Sequence, residues 1–191
     1  MTQEEKQILL RDLCTRLPYD VKGRVYAETT NGEYDINGDM IFFDSPFDVI
    51  LDDINTSTEE IHVIAIGNED TVDFIEDQQI DGKPYTIDEF KPYLRPMGSM
   101  TDEELMELGQ LKYQDDKNWE IVEMRVVKHD FVIIKCRNKH NEDYWVFQVS
   151  KTEPLRSWQG IDWLLEHHFD YRGLIDKGLA IEAPEGMYKN E

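Results

Sequence analysis

Two adjacent histidines lie near the C-terminus, in the segment WLLEHHFDYRG. Histidine is a common zinc ligand, and a zinc site here could indicate an enzyme. Zinc bound on a helix needs ligands on one face, four residues apart. His167 and His168 would point about 100° apart on a helix. His167 and Asp170 could share a face, but two ligands do not make a site. We predict that the pair binds no metal and lies at the C-terminal end of a helix, with Gly173 ending the helical stretch.

A second segment, EYDINGDMIFFD, resembles a calcium-binding loop. Counted from Glu33, Asp35 and Asn37 fall at positions three and five, Gly38 at six and Asp44 at twelve. The pattern requires Asp at the first position, Glu at the last and helices on both sides, whereas the flanks here have the pattern of strands. We therefore predict an Asn-Gly turn with acidic neighbours.

Other catalytic and cofactor motifs are absent from the sequence. There is no GxSxG, no GxxxxGK[ST] and no GxGxxG, so neither a hydrolase elbow nor a nucleotide cofactor is indicated. The segment IDGK (80–83) has the carboxylate-x-lysine order of metal-dependent nucleases, but Asp-Gly is a turn signal. The sequence therefore predicts no catalytic residue, no metal and no cofactor, and it favours a protein without enzymatic activity.

Cysteine use and the N-terminus indicate a cytoplasmic protein. Cys14 and Cys136 form no CxxC pattern and are predicted to be small core residues in a reducing compartment. The N-terminal MTQEEKQ is too polar for a signal peptide, and no apolar run reaches the roughly 18 residues of a membrane span.

Charge is the strongest compositional signal. The 191 residues include 41 acidic and 20 basic side chains, for a net charge of −21. Residues 25–82 contain 16 of the acids and no Lys or Arg. This balance argues against direct binding to nucleic acid or anionic membranes and favours a basic protein partner. Since the same segment contains MIFF and IHVIAI, we predict a folded sheet with acids outside. The candidate interaction face consists of Asp35, Asp44, Asp48, Asp52 and Asp53.

The periodicity of the first half predicts a helix followed by strands. Residues 3–16 have helical spacing, with Thr2 as N-cap and Glu5 completing a capping box. Strands are predicted at 21–29, 39–43, 47–54 and 61–67. The segment NGEY (31–34) is predicted to turn the chain.

The second half predicts the same mixture. Capping boxes at Thr86–Glu89 and Thr101–Glu104 predict a short helix ended by Pro92 and a helix over 102–113. Further predictions are strand over 120–136 and 144–150, with RNKHNED (137–143) as the hairpin loop, and a helix over 156–168 with Trp158, Ile161, Leu164 and Leu165 inward. The fold class is α+β, mostly antiparallel sheet with an N-terminal helix and two or three further helices. We predict a single domain over 1–191, with a candidate subdomain boundary at 95–100.

Three segments resemble a family of short acidic proteins encoded by gut-anaerobe bacteria and by their phages and mobile elements. They are LCTRLPYDVKGRV (13–25), KPYLRPMGSMTDEE (91–104) and, most specifically, HHFDYRGLIDKGLAIEAPEGMY (167–188). The resemblance implies a bacterial or phage cytosolic setting and no site residue. The third segment has the composition of a packed clasp, with apolar Phe169, Tyr171, Leu174, Ile175, Leu179 and Ile181.

The leading functional hypothesis is a non-enzymatic protein-interaction or accessory factor of a phage or mobile element. A narrower version is a nucleic-acid mimic, in which spaced carboxylates occupy a basic groove. Nothing in the sequence indicates an oligomeric state. The alternative is a metal- or carboxylate-dependent hydrolase, which requires a pocket joining at least two of Asp35, Asp44, Asp52, Asp53 and His62.

Overall fold

The computed structural model describes residues 1–66, 84–111, 118–152 and 157–188. The chain forms two compact units, the first from Met1–Leu94 and Leu174–Glu182, the second from Arg95–Gly173 and Ala183–Glu191. The predicted α+β class is confirmed: the described residues form three α-helices, the first at the N-terminus, and mostly antiparallel strands. The single domain over 1–191 with a boundary at 95–100 stays a prediction.

The first unit begins with α1 (Gln3–Arg16). The predicted capping box is confirmed, because the Thr2 hydroxyl accepts the N–H of Glu5 and the Glu5 carboxylate accepts the N–H of Thr2. Leu9, Leu10 and Leu13 are buried and form the apolar face of the helix. A short 3-10 helix, Leu17–Tyr19, follows where proline interrupts the α-helix.

A six-stranded sheet completes the first unit. Its strands are β1 (Lys22–Tyr34), β2 (Met40–Asn55), β3 (Glu60–Ala65), β4 (Tyr85–Thr86), β5 (Lys91–Leu94) and β9 (Ile181–Glu182). The order is β4-β3-β2-β1-β5-β9, and only the β5–β9 pair is parallel. Alternate residues of the strands share one buried cluster with α1, which includes Leu9, Val25, Val49, Leu51, Ile61 and Val63.

Three predictions for the first unit are wrong. The chain turns at DINGD (35–39), and NGEY (31–34) lies within β1. The two strands predicted on either side of Pro46 are one strand, β2. At Pro46, β2 pairs with β1 and with no other described strand, and proline is tolerated where one side of a strand has no neighbour. Cys14 is exposed, because the buried helix face is set by Leu9, Leu10 and Leu13.

The predicted helix after Thr86 is also wrong. The Glu89 carboxylate does accept the N–H of Thr86, as in a capping box, but residues 87–89 form only a turn. Pro92 then lies inside β5, opposite Gly23 of β1. A Cβ on Gly23 would lie 2.3 Å from the ring of Phe90, so the close approach of these strands requires glycine.

In the second unit, two helices and a three-stranded sheet pack around one buried cluster. The helices are α2 (Asp102–Leu111) and α3 (Trp158–Glu166), and the antiparallel strands are β6 (Trp119–Val127), β7 (Phe131–Asn138) and β8 (Tyr144–Ser150), in the order β6-β7-β8. Residues 112 and 113 of the helix predicted over 102–113 lie outside the described residues. The buried cluster contains Leu105, Leu108, Val132, Ile134, Cys136 and Leu164, so the core prediction for Cys136 is confirmed.

Two local features of the second unit differ from the predictions. Trp158 is 72% exposed, and Trp163 is the tryptophan of α3 that is buried. The strand segment predicted over 120–136 is divided by a tight turn in which Lys128 and His129 both have positive φ, 54° and 58°. Such turns usually contain Asn-Gly, so the sequence offers no signal for this one.

Candidate interaction face

The adjacent histidines lie at the C-terminal end of α3, as predicted. His167 is the C-cap, and His168 takes the left-handed conformation with a φ of 57°. The N–H of His168 donates to the carbonyl of Leu165, and the N–H of Phe169 donates to that of Leu164, at 3.0 and 2.8 Å. These two bonds form a Schellman motif. The helix therefore ends at Glu166, before Gly173, which was predicted to end it.

The two imidazole rings are held in different surroundings. The ring of His167 stacks on Trp163 at 4.0 Å, and its Nδ1 lies 2.9 Å from the carbonyl oxygen of the same residue. The ring of His168 stacks on Tyr188 at 3.7 Å. In the part of the chain that the structure describes, no three His, Cys, Asp or Glu side chains are grouped to hold a metal ion.

Asp35 organises the tip of the β1–β2 hairpin. Its Oδ1 accepts the backbone N–H groups of Asn37 and Asp39 at 2.8 and 2.9 Å. These bonds, led by the one from Asp39, hold the pKa of Asp35 below its usual value. Gly38 has a φ of 88° and completes the turn, whose flanks are strands. The carboxylate that resembled a calcium ligand therefore stabilises the turn.

The middle of β2 presents two of the predicted face residues outward. Side chains on a strand alternate between its two faces. Val49 and Leu51 point into the core of the first unit. Asp44 and Asp48 are out of phase with them and are exposed.

A β-bulge exposes two further aspartates of β2. Leu51 and Asp53 pair with consecutive residues of β3, so Asp52 is an extra residue between them. The extra residue shifts the alternation, and Ile54 rather than Asp53 packs against the core. Asp52 and Asp53 are both exposed as a result. Strict alternation would have turned one of them inward, so the bulge is what allows two adjacent carboxylates here.

Asp48 differs from its neighbours because its carboxylate is already engaged. Its Oδ1 accepts the Tyr93 hydroxyl at 2.6 Å and the Arg24 Nε–H at 3.2 Å. Burial, followed by the bond to Asp48, raises the pKa of Tyr93 to about 12. By contrast, no ion pair joins Asp44, Asp52 or Asp53 to another described residue.

The hairpin also exposes apolar side chains. We define the arm as residues 25–47, where among the described strands β1 and β2 pair only with each other. Ile41 and Phe43 are in phase with Phe47 and Val49, so they extend the core-facing stripe, yet they are 41% and 45% exposed. The exposed apolar residues of the arm are Tyr26, Tyr34, Ile36, Met40, Ile41 and Phe43. The apolar pattern of MIFF (40–43) indicates a folded strand, but it does not show where the core ends.

The residues required by the hydrolase alternative are spread over the hairpin tip, β2 and β3. Asp53 and His62 are cross-strand partners on β2 and β3. Asp35 is at the hairpin tip and Asp44 is in the arm. The second unit contains a cavity of about 370 Å³, lined by Met97, Gly98, Asp130, Lys151, Thr152 and Tyr171 and by none of these candidates. The nuclease-like segment 80–83 lies outside the described residues.

The two C-terminal segments that carry the family resemblance pack together inside each unit. In the first unit, β5 pairs with β9. In the second, the N–H of Arg95 donates to the carbonyl of His168 at 2.8 Å, and its guanidinium lies 4.2 Å from the ring centre of Phe169. Glu104 accepts two bonds from the same guanidinium, at 2.7 and 2.9 Å. Phe169, Leu174 and Leu179 are buried, as a packed clasp requires.

No protein-family model, curated protein or solved structure matches this chain, so the family resemblance stays an expectation. Among the helices that the structure describes, none has both the length and the apolar character needed to cross a bilayer. The assignment of function therefore depends on the geometry of the arm and of β2.

Proposed function

We propose that this protein is a non-enzymatic accessory factor that binds a basic protein through the arm and the exposed aspartates of β2. The observation that carries the proposal is the composition of the arm, where exposed apolar side chains lie among carboxylates. Residues 25–47 contain five Asp and Glu and no Lys or Arg. Exposed apolar patches with a polar rim are typical of protein-interaction sites.

The two kinds of side chain would contribute differently to binding. Asp44, Asp52 and Asp53 would attract a basic partner and raise the rate of association, an effect that salt weakens. Ile41 and Phe43 would supply apolar burial, which salt does not weaken. The partner should therefore combine Lys or Arg side chains with an apolar groove. The cytoplasm of a bacterium, with or without a resident phage, is where we would search for it.

The narrower form of the proposal is nucleic-acid mimicry. Asp44, Asp48 and Asp52 occur at every fourth residue of β2, so they follow one another at roughly 13 Å along a strand. A mimic would occupy a groove that normally holds phosphates. If so, duplex DNA should compete with this protein for the captured partner, and competition should be lost when the partner's groove is blocked.

The test compares two variants that each remove three negative charges. The face variant carries Asp44→Asn, Asp52→Asn and Asp53→Asn. Asp48 is left intact because it holds Tyr93 and Arg24. The control variant carries Glu103→Gln, Glu107→Gln and Glu142→Gln, at exposed positions of the second unit. Each protein is used as bait in extract of the native cell at about 0.1 M and about 1 M salt, between which the Debye length falls from about 10 to about 3 Å.

We expect a partner that the parent and the control variant retain at low salt and that the face variant loses. A third bait with Ile41→Ser and Phe43→Ser should lose the same partner at both salt concentrations. Equal retention by the face and control variants would overturn the proposal, because the acidity would then serve only to keep the protein dissolved.

A further inference from the structure

Among the described strands of the second unit, β8 is an open edge without charged residues. Among the described strands it pairs only with β7, and its sequence, YWVFQVS, contains no charged residue. Tyr144, Trp145 and Val146 are 54%, 56% and 65% exposed. An exposed apolar edge strand is a template for another strand unless charges, proline or a bulge protect it.

The hydrogen bonds to β7 determine which groups of β8 face the open edge. In an antiparallel pair, alternate residues direct both their N–H and C=O toward the neighbour. The N–H of Asn138 donates to the carbonyl of Asp143, and the N–H of Lys151 donates to that of Asp130, at 2.8 and 3.0 Å. Odd-numbered residues from 143 to 151 therefore bond to β7. The groups that face outward belong to Tyr144, Val146, Gln148 and Ser150.

We propose that β8 pairs antiparallel with β8 of a second copy of this chain, centred on Phe147. In this register Tyr144 lies opposite Ser150 of the second copy, and Val146 lies opposite Gln148. All four outward-facing residues then bond across the interface in both directions. In this register every odd-numbered residue lies opposite another odd-numbered residue. Side chains that lie directly opposite one another point to the same face, so the helix-packed faces of the two sheets lie on the same side. One six-stranded sheet results.

The residues that flank β8 select this register and a second copy as the occupant. With Phe147 at the centre, Asp143 lies opposite Lys151 of the second copy, and the reverse pair forms at the other end. A centre at Val146 places Asp143 opposite Val149. A centre at Gln148 places Lys151 opposite Trp145. Of these three registers, only the one centred on Phe147 forms two cross-strand ion pairs, and the residues that flank β8 in each copy supply both partners.

The overall charge of the chain makes this association dependent on salt. Two copies, each with a net charge of −21, repel one another. Screening should weaken the long-range repulsion more than the short cross-strand pairs, so association should increase as salt rises. This trend is opposite to the one expected for the basic partner of the first unit, so the two interactions can be separated by salt alone.

The test is a charge exchange followed by light scattering at about 0.5 M salt. The parent should have twice the chain mass of 22.6 kDa at high concentration. Asp143→Lys places lysine opposite Lys151, and Lys151→Glu places glutamate opposite Asp143, so each variant alone should be monomeric. Mixed in equal amounts, the two variants should form a heterodimer, because both ends then have opposite charges.

A backbone variant tests the edge without relying on charge. The N–H of Val146 faces outward, so Val146→Pro should remove one interface bond in each direction while leaving the bonds to β7. Val146→Thr is the matched control. The melting temperature of every variant is measured to confirm folding, since Lys151 also donates to the carbonyl of Met100. A monomeric parent at high concentration and salt, or a dimer unaffected by Asp143→Lys, Lys151→Glu and Val146→Pro, would overturn the proposal.

Discussion

The two units of this protein differ in how they balance charge. By sequence, the first contains 24 acidic and 8 basic residues, and the second contains 17 and 12. In the second unit, Glu104 pairs with Arg95 and Glu120 with Arg137. In the first unit, Asp44, Asp52 and Asp53 have no ion-pair partner among the described residues. The first unit therefore carries −16 of the net charge and the second −5.

The exposed apolar surfaces of the two units differ in the same way. In the first unit most of them lie on the arm, among carboxylates. In the second they include Tyr144, Trp145 and Val146 of β8, a strand without charged residues that Asp143 and Lys151 flank. The acidic arm is complementary in charge to a basic partner. By contrast, an uncharged edge strand with opposite charges at its two ends is complementary to a second copy of itself.

The largest expected effect comes from removing a buried leucine from each unit. Leu174 belongs to the cluster of the first unit and Leu164 to that of the second, and both are fully buried. Each change to alanine should lower the free energy of unfolding by about 2–5 kcal/mol. Because the two clusters share no residue, we expect calorimetry to show two transitions, with Leu174→Ala lowering one and Leu164→Ala the other.

The control for this comparison is Ile36→Ala, which removes a fully exposed side chain at the hairpin tip. It should leave both transitions unchanged. A single transition that both leucine variants lower by similar amounts would contradict the two-unit description and would support the single domain predicted from the sequence.

Features set by neighbouring residues could be predicted from the sequence. The capping boxes at Thr2 and Thr101 form as predicted, because each needs only a hydroxyl and a carboxylate three residues apart. The exposure of Asp44 and Asp48 was likewise predictable, since a charged side chain that alternates with apolar ones faces water.

Features that depend on distant packing could not be predicted. The bulge at Asp52 has no local signal, because both neighbours would also fit a regular strand. His168 adopts the left-handed conformation usually taken by glycine, since the Schellman bonds and the burial of Phe169 stabilise it. Sequence periodicity could not separate Trp158 from Trp163, because packing against the cluster of the second unit, and not the pattern, decides which face of α3 is covered.

A smaller effect should follow from the ion pair of the second unit. Burial raises the pKa of Glu104, but hydrogen bonds from Arg95 and Thr101 outweigh it, and the net pKa is lowered. A lowered pKa stabilises the fold above the pKa of the unfolded chain, about 4.3, and that contribution is lost as pH falls through the folded value. Glu104→Gln should therefore cost about 1–3 kcal/mol at neutral pH, and less as the pH falls below about 4.

The matched control is Glu103→Gln, an exposed neighbour in the same first turn of α2. It removes the same charge from the helix N-terminus but no bond to Arg95. Denaturant unfolding of both variants between neutral pH and about pH 3 measures the difference. Equal costs for the two substitutions at neutral pH would mean that the Arg95–Glu104 pair adds no stability.

The smallest expected effect is the response of each unit to salt. Repulsion among the carboxylates of the first unit opposes its folding, and sodium chloride screens it as the Debye length shortens. Between low and moderate salt, the free energy of unfolding of the first unit should therefore increase by on the order of 1 kcal/mol. The midpoint of the transition that Leu174→Ala lowers should rise by about 4–8 °C. The transition lowered by Leu164→Ala should rise less, because the second unit is closer to neutral.

The face variant should melt higher than the parent at low salt and respond less to added salt. If both transitions rise equally, the effect is one of general hydration, and the charge difference between the units has no consequence for folding.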